Sequence, residues 1–361
     1  MRWPFRSSSS IPPGDRETAA RPEERAEEQK EEQRAEELQK AKNARWNLEE
    51  GTSIAEGRWL FKHLGGGSRY EVYLVWDERL FALMVAKVLR PDQVEDPRAL
   101  QELQREAEVL EQLAHPVVVR GFGAVLEGPY PHLLIEYLEG PTLRRLIKRQ
   151  GVLPLEQVLP LALHIAAALH YLSTKRIVHL DVKPDNIVMG VPPRLIDLSI
   201  ARSFERAARL RDPIGTDAYM PPEQCDPASW PGHIGPAADV WGLGATLYHA
   251  TTGELPFPRP HGAKTSDNLN VRFPQLVGEP VPFTTRVPES LEELILRMLA
   301  KDPAERPAAR EVATALEPLV AAQPWRLTFS SRGRPRAAKP EDSGLALFQS
   351  AVDGEAAAVT R

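Results

Sequence analysis

The chain has 361 residues, of which 42% are hydrophobic and 26% are charged, as in globular proteins that bury a sizeable core in one large domain or two lobes. Its formal net charge of -5 provides no overall basic field of the kind that attracts nucleic acid or anionic lipid, so neither partner is implied. The single cysteine, Cys225, excludes an internal disulfide and a cysteine-rich zinc site, and it fits a reducing compartment.

The N-terminal part is polar and charged. Residues 1–20 are rich in Ser and Pro, which predicts disorder, and they lack the apolar centre of a secretory signal, so we expect a cytoplasmic location. Residues 21–50 contain good helix formers and opposite-charge pairs such as Glu36 and Lys40, but no apolar stripe, which predicts a solvated helix. Leu38 alone does not supply coiled-coil heptads. This segment either recruits a partner or acts as a spacer.

From Arg58 the pattern changes to short apolar alternations that predict antiparallel strands. The segments RWLFKHL, EVYLVWDERL and FALMVAKVLR are separated by GGGS and by a turn near residues 77–79. Residues 98–113 place leucines at helical spacing before a His-Pro pair, which predicts one helix. Two further strands, VVVRGFGAVLE and PHLLIEYLE, follow. This part is therefore predicted to be a strand-rich unit with one helix inserted.

After Gly140 the pattern becomes helical. Helices are predicted over residues 142–150, 155–172, 239–253 and 290–300. The longest apolar run, VLPLALHIAAALHYL, contains two histidines and is shorter than the roughly 18 residues that a membrane span needs, so it predicts a buried helix and no membrane span. Two lobes of different class, an α+β arrangement, are joined near residues 136–140. Residues 325–361 return to the composition of a flexible tail.

Two features of the first lobe suit phosphate binding. The glycine run in LGGGSRYEVYLV, residues 64–75, allows backbone N–H groups to approach a polyphosphate, although a plain hairpin turn has the same pattern. Lys87 is a lone lysine on the otherwise apolar strand LMVAKVL. Glu106, on the predicted helix, is placed to hold its ammonium and aim it at a phosphate. The alternative is an exposed strand lysine with no partner.

Two loops of the second lobe carry carboxylate, ammonium and carboxamide groups. HLDVKPDN, residues 179–186, contains Asp181, Lys183 and Asn186, although these residue types are also common in loops without function. PRLIDLS, residues 193–199, is a short apolar strand that ends at Asp197. Asp197 and Asn186 lie a hairpin's distance apart, and their oxygens are ligands that a divalent cation prefers.

The chain from about residue 58 to residue 320 resembles the protein kinase family, with the family's motifs in the family's order. The matching segments are the glycine loop, VAK, RE on the helix, HLDVKPDN, DLS, GTDAYMPPEQ, DVWGLG and DPAERP. GTDAYMPPEQ is most similar to bacterial-type (eukaryotic-like) serine/threonine kinases. The resemblance implies the two-lobed α+β kinase fold, with an N-lobe at 58–137 and a C-lobe at 140–320. It also implies transfer of the ATP γ-phosphate to Ser or Thr of a protein substrate.

The resemblance assigns catalytic and metal-binding roles. Lys87 would bind the α- and β-phosphates while Glu106 holds it. Asp181 would accept or orient the proton of the substrate hydroxyl, and Lys183 would neutralise the γ-phosphate. The implied ligands of Mg²⁺, or of Mn²⁺, are Asn186 and Asp197.

The resemblance also assigns residues to nucleotide binding and to structure. The implied ATP-binding residues besides Lys87 are Leu64, Gly65, Gly66, Gly67, Val72, Val85, Glu136 and Leu138. Leu138 would offer backbone hydrogen bonds to adenine, following the gatekeeper residue Ile135. The implied structural residues are His179, which packs beneath the catalytic loop, Glu223 and Arg306, which form an ion pair, and Asp239, which holds the catalytic loop.

The sequence departs from the family pattern in two loops. Tyr70 stands where glycine is usual and Arg69 where a large apolar residue is usual, so the glycine loop should be stiffer and should crowd the phosphates. Leu198 and Ser199 replace the usual Phe-Gly after Asp197. Leucine fills the same apolar pocket, while Ser199 lacks the conformational freedom of glycine and should restrict flipping of the segment.

Leu180 replaces the arginine that, in most regulated kinases, pairs with a phosphate on the activation loop. The loop here, IARSFERAARLRDPIG, offers Ser203 as its one hydroxyl before Gly215. We therefore predict a non-RD kinase, one without that arginine, whose activity does not depend on activation-loop phosphorylation. A pseudokinase, which keeps the fold as a nucleotide-binding or scaffold module, is the alternative, and a small-molecule phosphotransferase is the third.

Overall fold

The computed structural model describes residues 45–260 and 262–323. The predicted tails, 1–20 and 325–361, and most of the predicted helix at 21–50 lie outside the described residues. Residues 45–50 are not helical. Trp46 Nε1 donates to Leu89 O at 2.7 Å, and Trp46 and Leu48 pack against the core of the first sheet. The solvated helix therefore does not extend to residue 50, because these two apolar side chains are covered by the sheet.

The N-terminal lobe is built on an antiparallel sheet of six strands in the order β1-β2-β3-β4-β6-β5. The strands are β1 (Ser53–Ala55), β2 (Arg58–Gly66), β3 (Tyr70–Asp77), β4 (Ala82–Leu89), β5 (Gly121–Val125) and β6 (His132–Glu136). The predicted segments form β2 to β4 and β6. Strand β1 was not predicted, because three residues are too few to show an alternating pattern.

The predicted strand VVVRGFGAVLE is only partly correct, because its first residues pair with the other lobe. Val119 N donates to Leu195 O at 3.0 Å, and Leu195 N donates to Val117 O at 2.7 Å. Strand β5 begins only at Gly121. Val117 and Val119 therefore join the two lobes by backbone hydrogen bonds.

One helix, α1 (Pro97–Glu111), packs against β5 and β6 of the sheet. The Asp96 side chain caps its N-terminus by accepting from Arg98 N. The apolar face of α1 is buried, as its helical spacing predicted, and Glu106 is buried on the same face. A buried carboxylate needs a partner, and this placement directs Glu106 towards β4.

The C-terminal lobe is mainly helical. Its helices are α2 (Leu143–Gln150), α3 (Leu155–Thr174), α4 (Phe204–Ala207), α5 (Pro222–Cys225), α6 (Pro236–Thr252), α7 (Leu269–Arg272), α8 (Glu289–Met298) and α9 (Ala309–Ala321). Its short strands are β7 (Ile177–Val178), β8 (Ile187–Val188), β9 (Arg194–Leu195) and β10 (Arg202–Ser203). This α+β division between the lobes is the predicted fold class.

Helices α3 and α6 form the centre of this lobe. By length and composition α3 is apolar enough to cross a bilayer, but it packs against α6 and buries its apolar side chains, which is the environment of a core helix. Two glycines let other segments approach α6 closely. A Cβ at Gly242 would lie 2.9 Å from Val182 O, and one at Gly244 would lie 2.9 Å from the Cβ of Met298. Gly242 thus lets the loop that contains Val182 rest directly on α6.

Candidate active site

Lys87 lies at the centre of a buried charge cluster. Strand β4 places it on the face towards α1, where its side chain is almost fully buried, 10% exposed. Its Nζ lies 2.8 and 2.9 Å from the two carboxylate oxygens of Glu106 and 2.9 Å from Asp197 Oδ1. The alternative of an exposed, unpartnered strand lysine is therefore wrong.

The charges in this cluster stabilise one another. Burial opposes the charge on Lys87, but Asp197 and Glu106 outweigh it and raise the pKa of the ammonium. Burial also opposes the charge on Asp197, yet the ammonium of Lys87 holds the pKa of that carboxyl well below its usual value. Both groups are charged at neutral pH.

The β8–β9 hairpin brings Asn186 and Asp197 together. Ile187 pairs with Leu195 in this hairpin, and Ile196 N donates to Asn186 O at 2.9 Å, so both polar residues lie at its open end. Asn186 Nδ2 donates to Asp181 O at 2.9 Å and to Asp181 Oδ2 at 3.0 Å, which leaves its amide oxygen as the remaining ligand atom. An ionised carboxylate and an amide oxygen fit Mg²⁺, which commonly takes one or two protein oxygens and completes its shell with phosphate and water.

Asp181 belongs to a second hydrogen-bonded cluster. Its carboxylate lies 2.5 Å from Lys183 Nζ and accepts from Thr216 Oγ1 at 2.8 Å. Lys183 Nζ also donates to Thr216 Oγ1 at 2.6 Å. Thr216 was not predicted as a site residue, although it stands in the segment GTDAYMPPEQ. The three side chains restrain one another, so Asp181 is held in one orientation.

Asp239 and His179 support the loop from below. Asp239, at the start of α6, accepts from the backbone N–H groups of His179 and Leu180, both at 2.8 Å. His179 is buried. Its Nε2 lies 3.3 Å from Ile196 O, and its Nδ1 lies 3.3 Å from the backbone N of Asp181. One ring nitrogen therefore donates and the other accepts, as in a neutral imidazole. His179 and Asp239 occupy the structural positions expected from the sequence.

The segment after the activation loop is anchored by a buried ion pair. Arg306 Nη1 and Nη2 lie 2.6 and 2.9 Å from the two carboxylate oxygens of Glu223. Both side chains are almost fully buried, 0% and 1% exposed. Arg306 also donates to the backbone oxygens of Ala300 and Lys301. The structure thus forms the ion pair expected from the sequence.

Comparison with known proteins identifies this arrangement. Residues 60–315 match the protein kinase domain family. The chain belongs to the protein kinase family. It is 32% identical over 256 residues to the serine/threonine-protein kinase PknB of Mycobacterium leprae and 31% identical over 257 residues to PknB of Mycobacterium tuberculosis; each match covers 67% of this chain. It is 27% identical over 287 residues, 79% of this chain, to an Aurora kinase of Dictyostelium discoideum. The chain spans 39% of the PknB sequences and 69% of the Aurora kinase.

The residues expected to face adenine lie at the end of the β4–β6 ladder. Val85 pairs with Ile135 in the β4–β6 ladder, and the ladder ends at Glu136, so the backbone from Tyr137 onwards leaves the sheet. The Glu136 carboxylate accepts from Arg120 N at 2.7 Å and is paired with Arg194. Its side chain is therefore engaged within the protein, and its backbone N–H donates to Arg120 O at 3.0 Å.

The glycine loop joins β2 and β3 in a tight hairpin closed by a 2.9 Å hydrogen bond from Gly67 N to Tyr70 O. Gly65 has a φ of 140°, and a Cβ at Gly66 would lie 2.6 Å from Tyr70 O, so both positions need glycine. The Tyr70 ring covers the ammonium of Lys87, with Nζ 5.1 Å from the ring centroid. Tyr70 thus occupies space next to the group expected to bind phosphates. Arg69, the neighbouring departure, is paired with Glu102 on α1.

Tyr70→Gly should lower the Kd for ATP by about two- to tenfold, because phosphates would no longer compete with a cation–π contact for Lys87. Tyr70→Phe keeps the ring and should bind ATP as the wild type does. A fluorescent ATP analogue titrated into each variant measures this. Weaker binding by Tyr70→Gly would show instead that the ring packs favourably against the nucleotide.

His249, a buried histidine on α6, was not predicted from the sequence either. Its Nδ1 lies 2.6 Å from the Tyr219 hydroxyl, and its Nε2 lies 3.5 Å from Arg144 Nη1. Burial and the Arg144 guanidinium lower the pKa of His249 to about 4. His249 is therefore neutral in the folded domain, and Tyr219, four residues after Gly215, is tied to α6.

This histidine should make the domain acid-sensitive. Between about pH 6.5 and 4 the unfolded chain binds a proton at position 249 that the folded chain does not, so the free energy of unfolding falls as the pH falls. His249→Gln should lose less stability between pH 7 and 4.5 in thermal unfolding. The exposed His170→Gln is the control and should follow the wild-type profile. Identical profiles for His249→Gln and the wild type would contradict the assignment.

Proposed function

We propose that this chain is an ATP- and Mg²⁺-dependent protein serine/threonine kinase. The observation that carries the proposal is the contact of Lys87 with Glu106 next to Asp197, since phosphoryl transfer by a protein kinase requires this lysine–glutamate pair together with an aspartate that can hold Mg²⁺. The printed names of the PknB relatives, serine/threonine-protein kinases, support the choice of acceptor. Lysine two residues after Asp181 supports the same class.

Each of the groups in the site would have a separate role in phosphoryl transfer. Lys87 would bind the α- and β-phosphates, and the Leu138 backbone would bind adenine. Asn186 and Asp197 would hold Mg²⁺, whose charge offsets that of the phosphates. Contacts within the protein hold Lys87, Asn186 and Asp197, and such restraint would lower the cost of orienting the reactants.

At the acceptor end, Asp181 would orient the substrate hydroxyl and accept its proton. Lys183, which already contacts Asp181, would neutralise charge on the transferred group. The Thr216 hydroxyl holds both side chains in place. A protein substrate is favoured because the segment that begins at Thr216 resembles a peptide-binding platform.

The decisive test is transfer of labelled γ-phosphate to a generic protein substrate or to the chain itself. We expect transfer by the wild type with Mg²⁺ or Mn²⁺ and its loss in Lys87→Met and Asp181→Asn. Equal incorporation by all three proteins, or none by the wild type, would favour the pseudokinase, which Tyr70 over Lys87 makes the second candidate. A cytoplasmic location, and a partner for the charged segment at 21–50, stay predictions.

We further propose that activation does not require phosphorylation of the activation loop. Leu180 has a φ of 68° and is 3% exposed in an apolar cluster with Val178, Ala207, Ile234 and Ala238. Three activation-loop side chains, those of Ile200, Phe204 and Leu210, pack against this cluster. Burial of apolar surface would thus order the loop at the position where most regulated kinases use a phosphate and an arginine.

Gln224 ties the end of the loop to the same point. Its Nε2 donates to Leu180 O at 2.7 Å and also to Ile214 O. Gly215 allows this approach, because a Cβ there would lie 2.6 Å from Gln224 Nε2 and 3.0 Å from Leu180 O. The Ser203 hydroxyl caps α4 by accepting from Arg206 N. The loop therefore has neutral anchors at both ends.

Phe204→Ala should lower kcat about fivefold, since removal of a half-buried aromatic side chain weakens the packing that orders the loop. Phe81→Ala removes a phenylalanine that is 81% exposed and should keep wild-type activity. Initial rates of phosphate transfer measure both. Phosphatase treatment should leave the wild type active; loss of activity, with the removed phosphate mapped to the activation loop, would refute the proposal.

A further inference from the structure

A cleft of about 280 Å³ opens beside the segment that follows the activation loop. Thr216, whose hydroxyl lies 2.8 Å from Asp181 Oδ1, is followed directly by Asp217, which lines the cleft. Consecutive Cα atoms are about 3.8 Å apart, so the cleft begins one residue from a group that contacts the proposed base. A peptide that places its hydroxyl against Asp181 therefore passes close to the cleft.

The lining of the cleft has excess positive charge. Arg259, Lys264 and Arg272 line it, and Asp217 is the one carboxylate among the described residues that do. Asp217 Oδ2 lies 2.8 Å from Arg259 Nη1 and 3.5 Å from Arg272 Nε, so two guanidinium groups share one carboxylate. Lys264 is exposed. The cleft can therefore accept a further negative charge.

The walls of the cleft are held in place by buried contacts. Gln275, which is buried, donates from Nε2 to the backbone oxygens of Asp217 and Met220 at 2.7 and 3.0 Å. Phe257 stacks on the buried Trp241, with ring centroids 5.4 Å apart. A site that is already ordered loses little entropy when a ligand binds.

We propose that this cleft binds an acidic side chain of the protein substrate, a few residues from the serine or threonine that is phosphorylated. The inference rests on the proposed kinase function and gives that function a substrate class, proteins whose acceptor site has acidic neighbours. We expect such substrates to be preferred about three- to tenfold, the effect of one or two partly exposed ion pairs. Because the cations are partly exposed, the preference should shrink as salt concentration rises.

The test compares peptides that contain one serine in a neutral background, with Glu, Gln or Lys placed at each neighbouring position in turn. Initial rates of transfer from labelled ATP are measured with Mg²⁺. At one or two adjacent positions the wild type should prefer Glu over Gln and disfavour Lys. Lys264→Glu and Arg272→Gln should each reduce the Glu-to-Gln ratio of kcat/KM. Arg310→Glu, an exposed charge reversal on α9 outside the cleft, should keep the wild-type ratio.

Equal rates on Glu and Gln peptides, or an undiminished ratio in Lys264→Glu, would overturn the inference. If the wild type transfers phosphate to no peptide, the proposed function fails. A binding measurement then tests the proposed acidic site in the cleft by itself. Fluorescence anisotropy would compare labelled Glu and Gln peptides on the wild type and on Lys264→Glu. Selective binding of the Glu peptide that is lost in the variant would support the cleft without catalysis, and no selectivity would overturn both proposals.

Discussion

Asp181→Asn should lower kcat for phosphate transfer by about 10³-fold, the effect expected for loss of a positioned general base. Asparagine has nearly the same shape but no charge, so it cannot accept the substrate proton. It also removes the charge partner of Lys183, whose Nζ lies 2.5 Å from Asp181 Oδ2. The Kd for ATP without Mg²⁺ should change little, because Asp181 is bonded to Asn186, Lys183 and Thr216 and not to the Lys87 cluster.

The control for this variant is Asp185→Asn, in the same loop. Asp185 is exposed, and no role in binding or catalysis is proposed for it. It should retain wild-type rates in the same assay, with initial velocities measured across ATP concentrations. Turnover by Asp181→Asn within about tenfold of the wild type would show that Asp181 is not the base that this geometry suggests.

Arg306→Ala should destabilise the domain by about 3–5 kcal/mol, because it leaves the buried Glu223 carboxylate without a partner. A buried carboxylate without its partner has lost its hydration and has no ion pair to offset that loss. The variant also frees the backbone oxygens of Ala300 and Lys301, which accept from the guanidinium. For a domain of this size the thermal midpoint should fall by roughly 6–15 °C.

An exposed ion pair in the same lobe is the matched control. Lys301 Nζ lies 2.6 Å from Glu279 Oε1, but both side chains are solvent-accessible. Lys301→Ala should cost less than about 1 kcal/mol, as exposed pairs usually do. Equal shifts in thermal midpoint for Arg306→Ala and Lys301→Ala would show that burial does not set the strength of the Glu223 pair.

Local patterns in the sequence determined the two-lobed plan and most of the site. Alternation of apolar residues predicted β2, β3, β4 and β6, and helical spacing predicted α1. These patterns are local, because side chains two positions apart share a face of a strand and those three or four positions apart share a face of a helix. Lys87 stood out as a lone lysine on an apolar strand, and the roles of Asp181 and Asn186 followed from the resemblance to protein kinases. Strand β1 was too short to show a period, and the valines before β5 pair with a strand of the other lobe.

Only the tertiary structure decided which groups meet. Lys87 and Asp197 are separated by 110 positions, and no local pattern says that their side chains lie 2.9 Å apart. The same holds for the Tyr70 ring over Lys87 and for the cleft beside Asp217. At Leu180 the sequence and the tertiary structure each determine a different property of the same residue. The sequence shows leucine where the resemblance predicts arginine, while only the tertiary structure shows that Ile200, Phe204 and Leu210 pack against the cluster that contains Leu180. Such contacts depend on how separate elements pack, which the short-range periodicity of a sequence does not encode.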